Sequence, residues 1–154
     1  VSERLYGVVE FDMTETILAL CRAESISTWA HLVTWYNKNF RMGETEEFTY
    51  ENEKTDADAV NAIEVCRGEI RRLEALGRKG DTVIGDLILS AEGIEILNRI
   101  SLYLRGAEGY CDREELRGII SSWSERYSRA WLRDDKPSQL WRLREFFAAI
   151  PDLK

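Results

Sequence analysis

The chain has little of the residues that most often carry chemistry or interrupt a fold. Its 154 residues include two prolines, Pro137 and Pro151, one histidine, His31, and three cysteines, Cys21, Cys66 and Cys111. Proline breaks a helix interior, so two of them near one end leave everything before residue 137 free to form long helices. One histidine excludes a site built on paired imidazoles, and no Ser-His-Asp or Cys-His arrangement can be argued from it. The cysteines are an odd count with no CxxC, so they neither pair fully nor offer zinc spacing. Reduced, buried thiols are the expectation, and with them a cytoplasmic location. No run of eighteen apolar residues exists, so no membrane span is expected. No basic leader with an apolar stretch opens the chain. It starts at Val1 rather than Met, as a piece cut from a longer polypeptide would.

Charge is present but unevenly placed. Residues 43–58, GETEEFTYENEKTDAD, carry Glu44, Glu46, Glu47, Glu51, Glu53, Asp56 and Asp58 against one base, Lys54, which is −6 of the net −7. Clustered like charges repel and stay wet, so the segment reads as a solvated connector. Its functional reading is a cation site or a patch facing a basic partner. The ligand order of a calcium loop, with glycine sixth and glutamate last, is missing. The acidic balance argues against nucleic acid, whose phosphates it would repel.

Length implies one domain, large enough to bury a core without disulfides or metal. The apolar pattern is helical almost throughout. A first helix is expected over about Asp12–Arg22, with Ile17, Leu18 and Leu20 as its apolar members. A second, capped by Ser25 or Ser27, carries Trp29, Leu32, Val33, Trp35, Tyr36 and Phe40 and ends near Met42-Gly43. Tyr6–Phe11 reads as a strand or extended lead-in. The third helix spans about Asp56–Leu76, with Ala59, Ile63, Cys66, Ile70, Leu73 and Leu76 on one seam. Gly77 suits its left-handed cap, and Arg78-Lys79 the negative end of its dipole. Asp81 caps a fourth helix reaching Leu104, with Ile84, Leu87, Ile88, Ala91, Ile94, Leu97 and Leu104 inward. Asp112 and Glu115 have capping-box spacing for a fifth helix running to about Asp134. After Pro137, Ser138 caps a sixth. Short loops make neighbours antiparallel. The expected class is all-α: an up-down bundle of three long antiparallel helices, with shorter helices at either end. Residues 1–55 supply the N-terminal helices and acidic connector and 56–154 the bundle, together one compact domain.

Few constellations point to chemistry, and each has a plainer reading. His31, four residues before Trp35, is a possible general base but reads better as an interface histidine on an aromatic helix. Gly77-Arg78-Lys79-Gly80 resembles the GxxG loop of KH domains, yet long amphipathic helices flank it where strands are required, so it reads as a helix-ending turn. Asp134-Asp135 beside Lys136 reads as a solvated helix end rather than a carboxylate pair. The tetrads beginning at Cys21 and Cys66, 45 residues apart, with Cys111 a further 45 on, are not a repeat, since the similarity stops within two residues. Trp123, Tyr127 and Trp131 share one helix face, with Arg126, Arg129 and Arg133 beside them. A sugar-stacking or nucleotide platform is one reading. The other, preferred because the bundle needs those aromatics, makes them core with the arginines on its rim. No catalytic residue, metal or cofactor is expected.

The run Tyr127-x-x-x-Trp131-Leu132-Arg133-Asp134-Asp135-Lys136-Pro137-Ser138-x-Leu140-Trp141 resembles the extreme C-terminus of bacterial β-N-acetylhexosaminidases of glycoside hydrolase family 20. Glu69-Ile70-x-x-Leu73 and Ile94-x-x-Leu97 are similar to the all-helical domain that follows the barrel in one branch of that family. The family's signature is an adjacent Asp-Glu pair on a barrel strand, acting with the substrate's own acetamido group. This chain has no Asp-Glu dipeptide and is too short and helical for a (β/α)8 barrel. The resemblance therefore implies a non-catalytic appendage, giving structural support or a subunit interface. Its partner would be the catalytic barrel of the parent chain or a second subunit, with Trp29, Trp35, Tyr36 and Phe40 as a docking patch. The alternative is a free-standing helical interaction module using that aromatic helix and the acidic connector.

Overall fold

The computed structural model describes residues 13–23, 26–50, 53–76, 81–131, 145, 146 and 149; of residues 26–29 and 131 it describes the backbone alone. All regular structure among them is helical. In chain order these are α1 (Met13–Ala23), α2 (Ile26–Tyr36), a π-helical turn (Asn37–Arg41), α3 (Asp56–Ala75), α4 (Thr82–Arg105) and α5 (Arg113–Trp131). The expectations for Tyr6–Phe11, Gly77, Pro137 and Ser138 lie outside the described residues, although residues 145, 146 and 149 are helical.

The helix ends follow from their capping residues. Thr55 is extended, its hydroxyl accepts the Asp58 amide at 3.3 Å, and the Asp58 carboxylate accepts the Thr55 amide at 2.8 Å. This reciprocal box satisfies two helix-end donors at the start of α3. Asp81 accepts the amides of Val83 at 3.0 Å and Ile84 at 3.3 Å and starts α4 as expected. α4 stops where Gly106 adopts φ 71°, a left-handed conformation that costs glycine little. At the start of α5, Asp112 accepts the Glu115 amide at 2.8 Å, while the Glu115 carboxylate turns to Arg99 at 3.2 Å.

α4 is the element on which the others gather. Ala59 and Ile63 of α3 cluster with Leu102, Cys66 with Ala91, and Leu73 with Ile84. Residue numbers rise along α3 as they fall along α4, so the pair is antiparallel. α5 opposes α4 in the same way: Glu115 meets Arg99, Trp123 lies on Gly93, and Arg126 pairs with Glu92 at 2.7 Å. α1 lies on α3 and α4 through Met13 and Leu20. Leu32, Trp35 and Tyr36 of α2 join Ile96, Leu97, Ile100 and Tyr103 in the largest core, with Phe146 closing onto Tyr36. From Ile96 to Tyr103 every residue except Arg99 is buried. Each large aliphatic side chain taken out of water there stabilises the fold by about 1.5–3 kcal/mol.

Apart from the Tyr50 hydroxyl, buried polar side chains inside this frame have partners. Thr16 donates to Glu69 at 2.6 Å, and Arg72 bridges Glu69 to Glu15. Asn98, nearly fully buried, donates to the Ile94 carbonyl and accepts from Lys54 at 2.8 Å. Glu95 of α4 binds Arg67 of α3 at 3.1 Å and Arg99 at 2.9 Å, and Arg99 reaches Glu115, linking three helices. Satisfied buried polar groups avoid the desolvation penalty and fix helix register.

Three expectations need correcting. The second helix was expected to reach Met42-Gly43, but its α-helical part ends at Tyr36 and a π turn continues to Arg41. Only Cys66 is buried; Cys21 and Cys111 are exposed, and all three thiols are free. Leu18 is 50% exposed, because the buried side of α1 is formed by Met13, Thr16 and Leu20, one helical face spaced three and four apart. An exposed leucine on a short helix is indistinguishable from a core one until its neighbours are placed.

Candidate functional site

The π turn and the start of the acidic connector line an open cleft. The local backbone sets it up. Met42 donates to the Asn37 carbonyl at 3.2 Å, the wide i→i+5 loop of a π turn, and Gly43 then takes φ 73° to reverse the chain. Such turns insert one residue into a helix and are frequent at functional positions. The insertion stacks Phe40 nearly parallel on Tyr36, with ring centroids 5.1 Å apart, while Phe40 stays 47% exposed.

The connector is pinned back onto α2. Asn39 donates to the Trp35 carbonyl at 3.0 Å and accepts the Glu46 amide at 2.8 Å. Trp35 donates its indole N–H to the Glu46 carbonyl at 2.8 Å. Lys38 binds the Glu46 carboxylate at 3.0 Å, and that hydrogen bond, with its charge, holds the Lys38 ammonium above the usual lysine range. Phe48 is buried between His31, Trp35 and Tyr50, edge-on to the last two. His31 bonds the Thr49 carbonyl through Nε2. The segment expected to be a solvated connector thus carries acids outward and one aromatic anchor inward.

A cleft of about 720 Å3 lies along this seam, lined by Trp35, Asn39, Phe40, residues 44–48, Leu104 and Arg105. Glu46 is neutralised by Lys38. Arg105 is held by Asp56 at 2.6 Å and stacks over the Tyr50 ring. Glu44 and Glu47 are exposed; the Glu44 charge acts on the Lys38 ammonium without forming an ion pair with it. Met42, 71% exposed, stands beside them in sequence. The cleft therefore offers exposed carboxylates next to apolar surface.

The remaining candidates are placed as follows. Of the aromatic helix, Trp35 and Tyr36 are core, Phe40 is on the cleft, and the side chain of Trp29 lies outside the described residues. His31 packs at the contact between α2 and the connector. Trp123 is buried, stacks on Tyr127 at 4.6 Å and donates to the Leu89 carbonyl at 2.9 Å. Arg126 pairs with Glu92 and Arg129 with Glu125, so these two arginines rim the bundle. The side chain of Trp131, together with Arg133, Asp134-Asp135 and Gly77-Arg78-Lys79-Gly80, lies outside the described residues. Among the described residues no three His, Cys, Asp or Glu side chains gather as metal ligands. Sequence reading passed over Phe48 and Asn39. The signal for Phe48 was present: Phe48 and Tyr50, two residues apart, are the only aromatics in an otherwise polar acidic run. Asn39 had no comparable signal, since its bonds depend on the π turn.

No protein-family model, curated protein or solved structure matches the chain.

Proposed function

We propose that this chain is a non-catalytic helical docking module. The observation that carries this reading is the cleft, where Phe40, Glu44 and Glu47 are exposed, with Met42 exposed next to them in sequence, beside a connector pinned by Phe48, Asn39 and Trp35. Exposed apolar side chains rimmed by charge are the usual form of a protein contact surface. The three long helices serve as its scaffold, an up-down bundle with α4 in the middle and the shorter helices laid across it.

The C-terminal resemblance supplies its leading identity: the helical domain of a bacterial family-20-type β-N-acetylhexosaminidase, lying against the catalytic barrel or a second subunit. Trp123 and Tyr127, in the helix that carries that resemblance, support a structural role because both pack against α4 or its neighbours. The test is an aryl N-acetylglucosaminide assay of this chain and of the polypeptide its gene encodes. Activity in this chain alone would remove the non-catalytic reading, and an inactive full polypeptide would remove the family.

The second reading, a free-standing interaction module, is favoured by the exposed Glu44 and Glu47 carboxylates on the cleft. The open reading frame before Val1 separates the two: several hundred further codons fit the appendage, and an adjacent start codon fits the module.

A further inference from the structure

We infer that the π-turn cleft takes a basic segment of a partner protein, one in which lysines or arginines flank an apolar side chain. The inference rests on the docking reading and names its occupant. Its volume of about 720 Å3 is that of a site for a few side chains rather than a single ion. Its wall carries three acids, Glu44, Glu46 and Glu47, and the two cations at its edge are engaged, Lys38 by Glu46 and Arg105 by Asp56. Glu44 and Glu47 are exposed and form no ion pair among the described residues, so their carboxylates can accept from an incoming cation, Glu44 in competition with the weaker pull of Lys38. The exposed face of Phe40, held in place by its stack on Tyr36, attracts a guanidinium or ammonium group and packs its aliphatic stem. Phe48 and Leu104 give the apolar side chain its floor. A phosphorylated or acidic partner would meet like charge here and is disfavoured.

The test uses a labelled octapeptide alternating arginine and leucine, and its twin with glutamate for arginine, titrated into the full chain at low salt. The Arg-Leu peptide is expected to bind, more weakly as salt rises, and the Glu-Leu twin to stay free. Phe40→Ala and, separately, Glu44→Gln with Glu47→Gln each weaken binding at least about tenfold. The glutamine pair removes charge at two exposed positions, so its result stands even if Phe40→Ala harms folding. Equal binding of both peptides, no binding of either, or insensitivity to the glutamine pair overturns the inference. Docking itself is read separately, by introducing Met42→Arg into the native polypeptide and measuring its association state and melting temperature. A change there without peptide binding removes the basic occupant and keeps the docking face; no change in either removes both.

Discussion

Trp123 and Gly93 illustrate how single residues hold this fold. A Cβ at Gly93 would stand 3.0 Å from Cζ2 of the Trp123 indole. The indole has little room to yield, because its N–H is bound to the Leu89 carbonyl and its face to Tyr127. Alanine in a helix interior otherwise gains about 1 kcal/mol over glycine, whereas overpacking costs about 1–3 kcal/mol. Gly93→Ala is therefore expected to lower stability in the native background and to raise it when combined with Trp123→Phe. Denaturant unfolding of the four members of that cycle reads the sign change. Tyr50 gives a prediction about pH. Its hydroxyl is buried without a hydrogen-bond partner among the described residues, and burial, helped by the Asp56 charge, pushes its pKa above the ordinary tyrosine range. The unfolded chain then loses this proton at about pH 10 while the folded chain keeps it, so the stability contributed below that pH is lost as pH rises beyond it. Tyr50→Phe should leave stability at pH 7 within about 1 kcal/mol of the native value and lessen the alkaline loss, as read by melting temperatures between neutral pH and pH of about 11.

Among the elements, α3 and α4 begin at caps of different kinds. Asp81→Ala removes an acceptor of two amides and should cost about 1 kcal/mol in urea unfolding, with Asp81→Asn recovering most of it. Thr55→Ala removes the hydroxyl half of its box, leaving the backbone amide on the Asp58 carboxylate, and is expected to cost at most a similar amount. The Thr55 hydroxyl and amide also hold the Asp58 carboxyl below its usual range. A depressed folded pKa gives stability that is present above the unfolded value and lost as pH falls through the folded one. The Thr55→Ala penalty should therefore shrink below about pH 4. The start of α4 was legible because its signal, Asp81, is local; the Thr55–Asp58 box and the Gly106 cap act over as few residues but emerged only from the structure. The end of α2 was not legible. Trp29 to Phe40 continues an apolar helical pattern through the π turn, and the insertion is fixed by Asn39 and Glu46, which meet only after the connector folds back.

For the molecule as a whole, α1 and α2 have no core separate from α4. Met13 and Leu20 pack with residues of α3 and α4, and Leu32, Trp35 and Tyr36 with residues of α4 and α5. Urea unfolding should accordingly be one cooperative transition, with helical content and tryptophan fluorescence changing together; separate transitions would divide the chain near residue 55. The candidate site belongs to this scale too. Phe40 and the acids were visible as residues, and the acidic run as a feature, but their meeting on one cleft depends on Phe48 being anchored among His31, Trp35 and Tyr50.

Sequence by itself determined the all-helical class seen among the described residues, where α3 and α4 begin, and most of the seam along α3. Those properties follow from periodicity and caps, which act over a few residues. Only the tertiary structure decided that α4 is buried around nearly its whole circumference from Ile96 to Tyr103, that Cys21, Cys111 and Leu18 face water while Trp35 and Tyr36 do not, and that the acidic connector folds onto α2 to make a cleft. The physical reason is the same in each case. Whether a side chain is buried depends on what arrives from tens of residues away, and a helical repeat specifies a face without naming what will cover it.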